Sequence, residues 1–225
     1  MSRPALLAVA HGSRNPAAAD VIKGLARQIR RLAPMLDVHV AFIGHAEPSL
    51  PEELSAAGAD AVIVPLLLST GYHLRADLAE AAITAGARLA GALGPDELLL
   101  TVLTARLAEA GVPDGTPVVL AAAGSSDPAG ADDVRQQAAL LAERLGAPVA
   151  AAFVSAALPT VPAAVADLHE RTCGPVAVAS YLLAPGYFQE LLHRSGADWV
   201  TEPLGEHPAI AGLVIDRYRT AVKSA

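Results

Sequence analysis

The sequence predicts an α/β protein made of two tandem, duplicated doubly wound parallel-sheet domains, on three observations. Short apolar runs alternate with segments of helical period, a polar glycine-containing turn follows the first of these runs, and the pattern restarts near the middle of the 225-residue chain. Residues 5–10 are a continuous apolar run of the kind a parallel strand shows when both its faces are covered. The turn His11-Gly12-Ser13-Arg14-Asn15-Pro16 follows, and Val21, Leu25, Ile29 and Leu32 then recur at helical spacing over 17–33. Residues 37–43 read as a second strand and 48–57 as a second helix, with Pro48 near its first turn. The strongest strand is 61–68; Gly71-Tyr72-His73 is a turn ahead of a helix over 74–85. A weak fourth strand over 87–93 and a helix over 96–110, ended by Gly111, complete the first set.

After the linker-like segment 111–117 the landmarks return in order. His11-Gly12-Ser13 finds its match 112 positions later in Ala123-Gly124-Ser125. Phe42 and Pro48 return 111 positions later as Phe153 and Pro159, and Leu93-Gly94 likewise as Leu204-Gly205. Gly71-Tyr72-His73 returns 115 positions later as Gly186-Tyr187-Phe188. The expected domains are therefore 1–112, carrying the histidines, and 117–225, a degenerate copy.

Composition removes several function classes. The net charge of −7 argues against a general nucleic-acid binder. A single cysteine, Cys173, excludes an intrachain disulfide, a CxxC motif and a cysteine-ligated cluster. The hydrophobic content of 53% and mean hydropathy of +0.41 suggest a membrane protein at first. The longest clearly apolar stretch, 61–68, is far short of the roughly 20 residues of a spanning helix and contains Pro65. The apolar stretch 5–10 is also shorter than the ~7–15 residues of a signal peptide. The expectation is a soluble, reduced, cytoplasmic protein with no nucleic-acid or membrane partner.

The duplication acts as an internal control on the histidines. His11 and His73 each follow a strand, where open α/β sheets place ligands, yet their counterparts are Ala123 and Phe188. Residues serving only the fold tend to be needed in both copies, and here the turns are kept while the histidines are not. A histidine in such a loop also serves as a cap or turn residue; as a pair on one edge, His11 and His73 point to function, histidine being the commonest metal ligand. His11-Gly12-Ser13-Arg14 is in addition a plausible anion site: Gly12 admits a close ligand, Ser13 can cap the helix, and Arg14 offers a fork for a carboxylate or phosphate. An Arg-His-Gly phosphatase turn is excluded because Ala10 precedes His11, and neither a GxGxxG turn nor a P-loop is present.

Ala10-His11-Gly12-Ser13-Arg14, the segment 42–48, and Val64-Pro65-Leu66-Leu67-Leu68 leading to Gly71-Tyr72-His73 together resemble the sirohydrochlorin chelatases of the CbiX/SirB type. The resemblance covers nearly the whole chain, including the degenerate second half of the long, two-half members. It implies two similar α/β halves facing a central cleft, and a lyase that inserts Fe²⁺ or Co²⁺, or Ni²⁺ in some relatives, into a sirohydrochlorin-type tetrapyrrole of sirohaem or cobalamin biosynthesis. His11 and His73 stand at the family's metal-site histidines. The metal is then a substrate, and no permanently bound cofactor is expected. A fused pair of halves further implies a monomer with an intrachain pseudo-dimer.

The chain also departs from the family pattern. Many relatives carry Glu-Leu-Ala-Glu-Pro-Ser after the second strand; here the segment reads Gly44-His45-Ala46-Glu47-Pro48-Ser49, so the first glutamate is lost, Glu47 remains and His45 is new. Glu47 either completes the metal set with His11 and His73 or serves as a carboxylate near a helix start. Metallation requires two pyrrole protons to leave while the metal sheds water, and neutral imidazoles can hold the metal and accept protons. Arg14 and Arg75 are the cations expected to meet the carboxylates of the tetrapyrrole. Ser13, Tyr72, Tyr187 and Phe188 are the other candidate substrate contacts. His39 alternates within a strand, His169 and His193 are expected on helix surfaces, His207 as a helix cap, and Trp199 and Cys173 in the core. A non-catalytic metal or tetrapyrrole carrier, using the same histidines, is the alternative.

Overall fold

The apolar runs form parallel strands, each covered by the helices that connect them. The computed structural model describes residues 3–44, 46–71 and 77–224. Every residue of β1 (Leu6–Ala10) is buried. Helix α1 (Pro16–Leu32) begins with proline after its Asn15 cap and turns Ile22, Leu25, Ala26 and Ile29 inward. It returns the chain to β2 (Val38–Phe42), parallel to β1 with Phe42 beside Ala10. Helix α2 (Leu50–Ala57) leads to β3 (Val62–Pro65), which pairs with the opposite side of β1. Helix α3 (Ala79–Ala85) and the edge strand β4 (Arg88–Leu89) complete a sheet of order β2-β1-β3-β4. Leaving β1 on one side and returning on the other puts the topological switch point between β1 and β3.

The second set repeats this. After α4 (Glu97–Glu109) come β5 (Val118–Ala122), α5 (Pro128–Leu145), β6 (Val149–Phe153) and α6 (Val161–Thr172). Then follow β7 (Ala177–Tyr181), α7 (Tyr187–Leu192), β8 (Trp199–Val200) and α8 (Pro208–Lys223). The sheet order is β6-β5-β7-β8, all parallel. Each sheet has its own core. In the first, Leu7, Val9 and Ile63 meet Leu50, Leu54 and Leu78; in the second, Val119, Ala121 and Val178 meet Val161, Val165 and Leu168. The duplicated doubly wound fold expected from the sequence is the one observed.

By packing, the chain groups into one compact unit of the residues through Leu93 together with those from Gly205, and a second of Gly94–Leu204, a grouping that cuts across the two sequence repeats. Helix α4 packs on α5 and β7, whereas α8 packs on α1 and β3, so each repeat hands its last helix to the other unit. Two equivalent arginines, 111 positions apart, secure this arrangement. Arg217 of α8 donates to the carbonyls of Ala92 and Leu93, both at 2.8 Å, and Arg106 of α4 donates to that of Leu204 at 2.9 Å. Tyr218 adds a 2.6 Å bond to the Pro4 carbonyl.

Smaller differences have local causes. The third strand's ladder with β1 ends at Pro65, although the Leu66 N–H still donates to the Val9 carbonyl at 2.7 Å. Cys173 is exposed at the end of α6 with φ of 50°, and Trp199 on the short edge strand β8 is half-buried, so neither is a core residue. Among the described residues no helix is long and apolar enough to cross a membrane.

Candidate active site

At the carboxyl end of β1 the chain enters the turn through His11, which is exposed. Gly12 has φ of +89°, and a Cβ there would lie 1.7 Å from the Gly44 carbonyl oxygen, so only glycine fits. That approach laces the loops after β1 and β2 together: the Gly44 N–H donates to the His11 carbonyl at 3.1 Å, and that of Ile43 to Ala10 at 3.0 Å. Gly124 does the same in the second repeat, with φ of +93° and a would-be Cβ 1.8 Å from the Ser155 carbonyl oxygen.

The next residues separate turn chemistry from site chemistry. Ser13 does not cap α1; its Oγ accepts from the Asn15 N–H at 3.1 Å, and the Asn15 side chain caps the helix by accepting from Ala17 at 3.0 Å. Ser125 and Asp127 reproduce both bonds, each at 3.0 Å. The Ser13 hydroxyl is thus engaged by a turn that both repeats share. What the first repeat adds is His11 and Arg14, where the second has Ala123 and Ser126. Arg14 is exposed, and the first turn of α1 carries no acidic residue to neutralise the positive end of the helix.

Glu47 is exposed and lies outside α2. The carboxylate that serves this helix start is Glu52, which accepts from the Ser49 N–H at 3.2 Å and hydroxyl at 2.7 Å. Those two bonds hold its carboxyl below the usual range. The capping role weighed for Glu47 is therefore filled by another residue. At Gly44 a Cβ would meet nothing within 4 Å, so space does not dictate the loss of a side chain there. In the second repeat the equivalent Ser155 donates its hydroxyl to the Ala123 carbonyl at 3.0 Å.

Tyr187 opens α7 and is 67% exposed, while Phe188 is half-buried against the second core, the two rings 6.2 Å apart and tilted by 45°. His73, Tyr72, Arg75 and His45 lie outside the described residues. Among the described residues no group of three or more histidine, cysteine or carboxylate side chains is placed to hold a metal.

The remaining histidines are tied into the fold. His39 Nδ1 lies 2.8 Å from Glu53 Oε2, and its Nε2 is 3.2 Å from Asp37 Oδ2, an ion-pair distance. Burial alone would lower the His39 pKa, but the two carboxylates outweigh it and raise the value above the ordinary one. His169 bonds the Gly174 carbonyl at 2.9 Å, so it is a half-buried fastening rather than a surface residue. His193 is exposed, and His207 caps α8 as expected, its Nδ1 accepting from Ala209 at 3.1 Å. Sequence reasoning missed a buried polar set in the second unit, Ser180, Gln189 and Thr201, whose trace is three polar residues where the first repeat has Pro65, Leu74 and Ala90.

Fold and site first define a class: duplicated doubly wound α/β proteins whose distinguishing polar side chain, a histidine, stands at a switch point of one repeat. The chain belongs to the CbiX family, whose profile matches residues 5–110 and again 117–221. It is 27% identical over 99% of its length, and 94% of the relative's, to the sirohydrochlorin ferrochelatase of Bacillus subtilis (strain 168). To that of Priestia megaterium it is 30% identical over 98% of its length and 91% of the relative's. Its fold resembles the solved structure of SirB from Bacillus subtilis with Fe³⁺, with a TM-score of 0.84 at 24% identity, covering 98% of this chain and 96% of that one.

Proposed function

We propose that this chain is an enzyme, a lyase that inserts a divalent metal into sirohydrochlorin. The observation that carries the reading is the match of both repeats, over almost the full length, to sirohydrochlorin ferrochelatases, in a chain whose first repeat alone has a histidine at the switch point. Those full-length relatives favour Fe²⁺ as the metal and sirohaem as the destination. A shorter match, 40% identical over 77 residues to the sirohydrochlorin cobaltochelatase of Methanothermobacter thermautotrophicus, keeps Co²⁺ and the cobalamin route as the second choice; it spans 32% of this chain and 53% of that protein.

In this reading the metal arrives as substrate on His11 and His73, with Glu47 as the candidate carboxylate ligand. Imidazole nitrogens bind first-row divalent ions well enough to strip part of their hydration shell, and weakly enough for four ring nitrogens to take them over. Each imidazole freed of metal is then a base for a pyrrole proton. Arg14 and Arg75, with the uncompensated N-terminus of α1, offset the negative charge of the tetrapyrrole's carboxylates. Tyr72, Tyr187 and Phe188 are the candidate aromatic contacts for the tetrapyrrole.

A carrier that binds metal or tetrapyrrole without turnover is the second reading, favoured by one observation: Gly44 lacks the side chain that many relatives place there although there is room for it. The test is insertion of Fe²⁺ under anaerobic conditions, or of Co²⁺, into a large excess of sirohydrochlorin, corrected for the spontaneous rate. Many turnovers per chain support the enzyme; a single stoichiometric burst supports the carrier.

A further inference from the structure

Within the first compact unit, an open pocket of about 400 Å³ lies between the edge strand β4 and the last turns of α8. Arg217, Thr220 and Ser224 face it from one stripe of the helix, and Arg88, Leu89 and Gly91 from the edge. The Arg88 and Ala90 N–H groups donate to Ala61 and Ile63 at 2.9 and 2.8 Å, so alternation turns the Leu89 N–H and C=O outward from the sheet. None of the described residues lining the pocket is acidic. Arg88 is half-buried, and its guanidinium has no hydrogen bond or ion pair among the described residues. Arg3 stands close by: burial raises the Tyr218 phenol above its ordinary range, and the charges of Arg3 and Arg88 pull it the other way. In a chain of net charge −7 this is a local excess of positive charge.

The equivalent place in the second unit is balanced differently. Arg106 of α4 and Arg217 of α8 make the same bond, to the carbonyls of Leu204 and Leu93. Three residues further on, α4 carries Glu109, whose carboxylate pairs with Arg106, whereas α8 carries Thr220, an exposed neutral hydroxyl. On the strand side Trp199 holds the register position of Arg88, the two opening their edge strands opposite Ala177 and Val62. Thr220 for Glu109 and Arg88 for Trp199 each move the first unit one charge toward positive, 1 + 1 = 2 in all. A half-buried guanidinium beside outward backbone N–H groups, where the sister unit supplies a carboxylate, has the donors of an oxyanion site.

We propose that this pocket binds a small molecule bearing an oxyanion group, carboxylate or phosphate, with Arg88 as its main partner and the oxyanion standing in the place that the Glu109 carboxylate takes in the second unit. The volume is that of a small-molecule site rather than of a lone ion, and the apolar stem of the ligand has Leu89 and Ala221 to lie against. Arg88 is level with Val62 and, through it, with Leu6 at the start of β1. The site therefore stands at the amino ends of the strands, roughly 16 Å along β1 from His11. It is separate from the switch point and does not depend on the chelatase reading.

The test titrates the full chain with inorganic phosphate and, separately, with citrate, by calorimetry at matched ionic strength. Wild type is expected to bind at least one of them with a Kd below about 1 mM; tighter citrate points to a carboxylate ligand and tighter phosphate to a phosphate ester. Arg88→Gln should weaken that binding about tenfold or more, since it removes the charged donor. Thr220→Glu, an exposed change that installs the carboxylate of the second unit, should weaken it at least as much. Arg171→Gln, which removes an exposed arginine paired with Asp167 in the second unit, should leave it within about twofold. Failure of wild type to bind either probe overturns the proposal. So does unchanged binding in Thr220→Glu or in a folded Arg88→Gln, or an equal loss in Arg171→Gln, which would make the effect one of overall charge.

Discussion

In the first repeat the chain leaves β1 through His11 and β2 through Gly44; in the second it leaves β5 through Ala123 and β6 through Ser155. The scaffolding around these four residues is the same. Both glycines that follow β1 and β5 have φ near +90° and press on the neighbouring loop, and both serines after them receive the same backbone N–H. Behind the strand ends the copies diverge in opposite directions. The first ties β2 to α2 by His39 and Glu53, where the second has Ala150 and Ala164; the second ties α7 to β7 by Gln189, where the first has Leu74. The duplicated turn is architecture, since both copies keep it, and the imidazole at its head is what only the first copy carries.

The largest expected effect breaks the asymmetry directly. Replacing His11 and His73 together by alanine should lower the rate of metal insertion about 100-fold or more, with the melting temperature nearly unchanged. Insertion at the wild-type rate would remove both histidines from the reaction. The next effect tests the equivalence of the scaffold. Gly12→Ala and Gly124→Ala should each destabilise by roughly 1–3 kcal/mol, since each forces both a left-handed alanine and a clash with a backbone oxygen. Calorimetry of both variants checks this; a silent Gly124→Ala would show that the second turn is not held as the first is.

Restoring a side chain at the open position is expected to act more gently. Gly44→Glu should strengthen metal binding by no more than about tenfold, and leave stability within about 0.5 kcal/mol, since a Cβ there meets nothing. Isothermal titration with Co²⁺ reads the first and thermal unfolding the second. The smallest effect concerns His39. Its pKa is raised on folding, so its contact with Glu53 stabilises fully below the unfolded value near 6.5 and is lost as pH rises through the higher folded value. Wild type should exceed His39→Ala by about 1–2 °C in melting temperature near pH 5.5, a margin that shrinks by pH 8. A margin that grows with pH would reverse the assignment.

Much of this was legible in the sequence, for reasons that also explain what was not. Parallel strands buried on both faces are written as unbroken apolar runs, so 5–10 and 117–122 announced β1 and β5, and constant offsets exposed the duplication. The exchange of α4 and α8 left no such trace. An amphipathic helix records that one face is buried but not which sheet buries it; the equivalent arginines Arg106 and Arg217 are among the side chains that fasten the arrangement. Cys173 looked like core by residue type, yet a helix end in the left-handed conformation placed it outside. His11 was legible because its counterpart differs. Gln189 was not, because a glutamine in a short helix ordinarily faces water, and its burial depends on Ser180 and Thr201 arriving from other strands.

In this reading metal insertion needs a histidine at the switch point of the first repeat, not merely one at either equivalent turn. The most direct measurement is the initial rate of Co²⁺ insertion into sirohydrochlorin by wild type, by His11→Ala, and by the transplant His11→Ala, Ala123→His. The transplant is expected to stay within about twofold of His11→Ala, at least about 100-fold below wild type. Recovery of the wild-type rate with the histidine moved to residue 123 would contradict it, because the two turns would then be interchangeable.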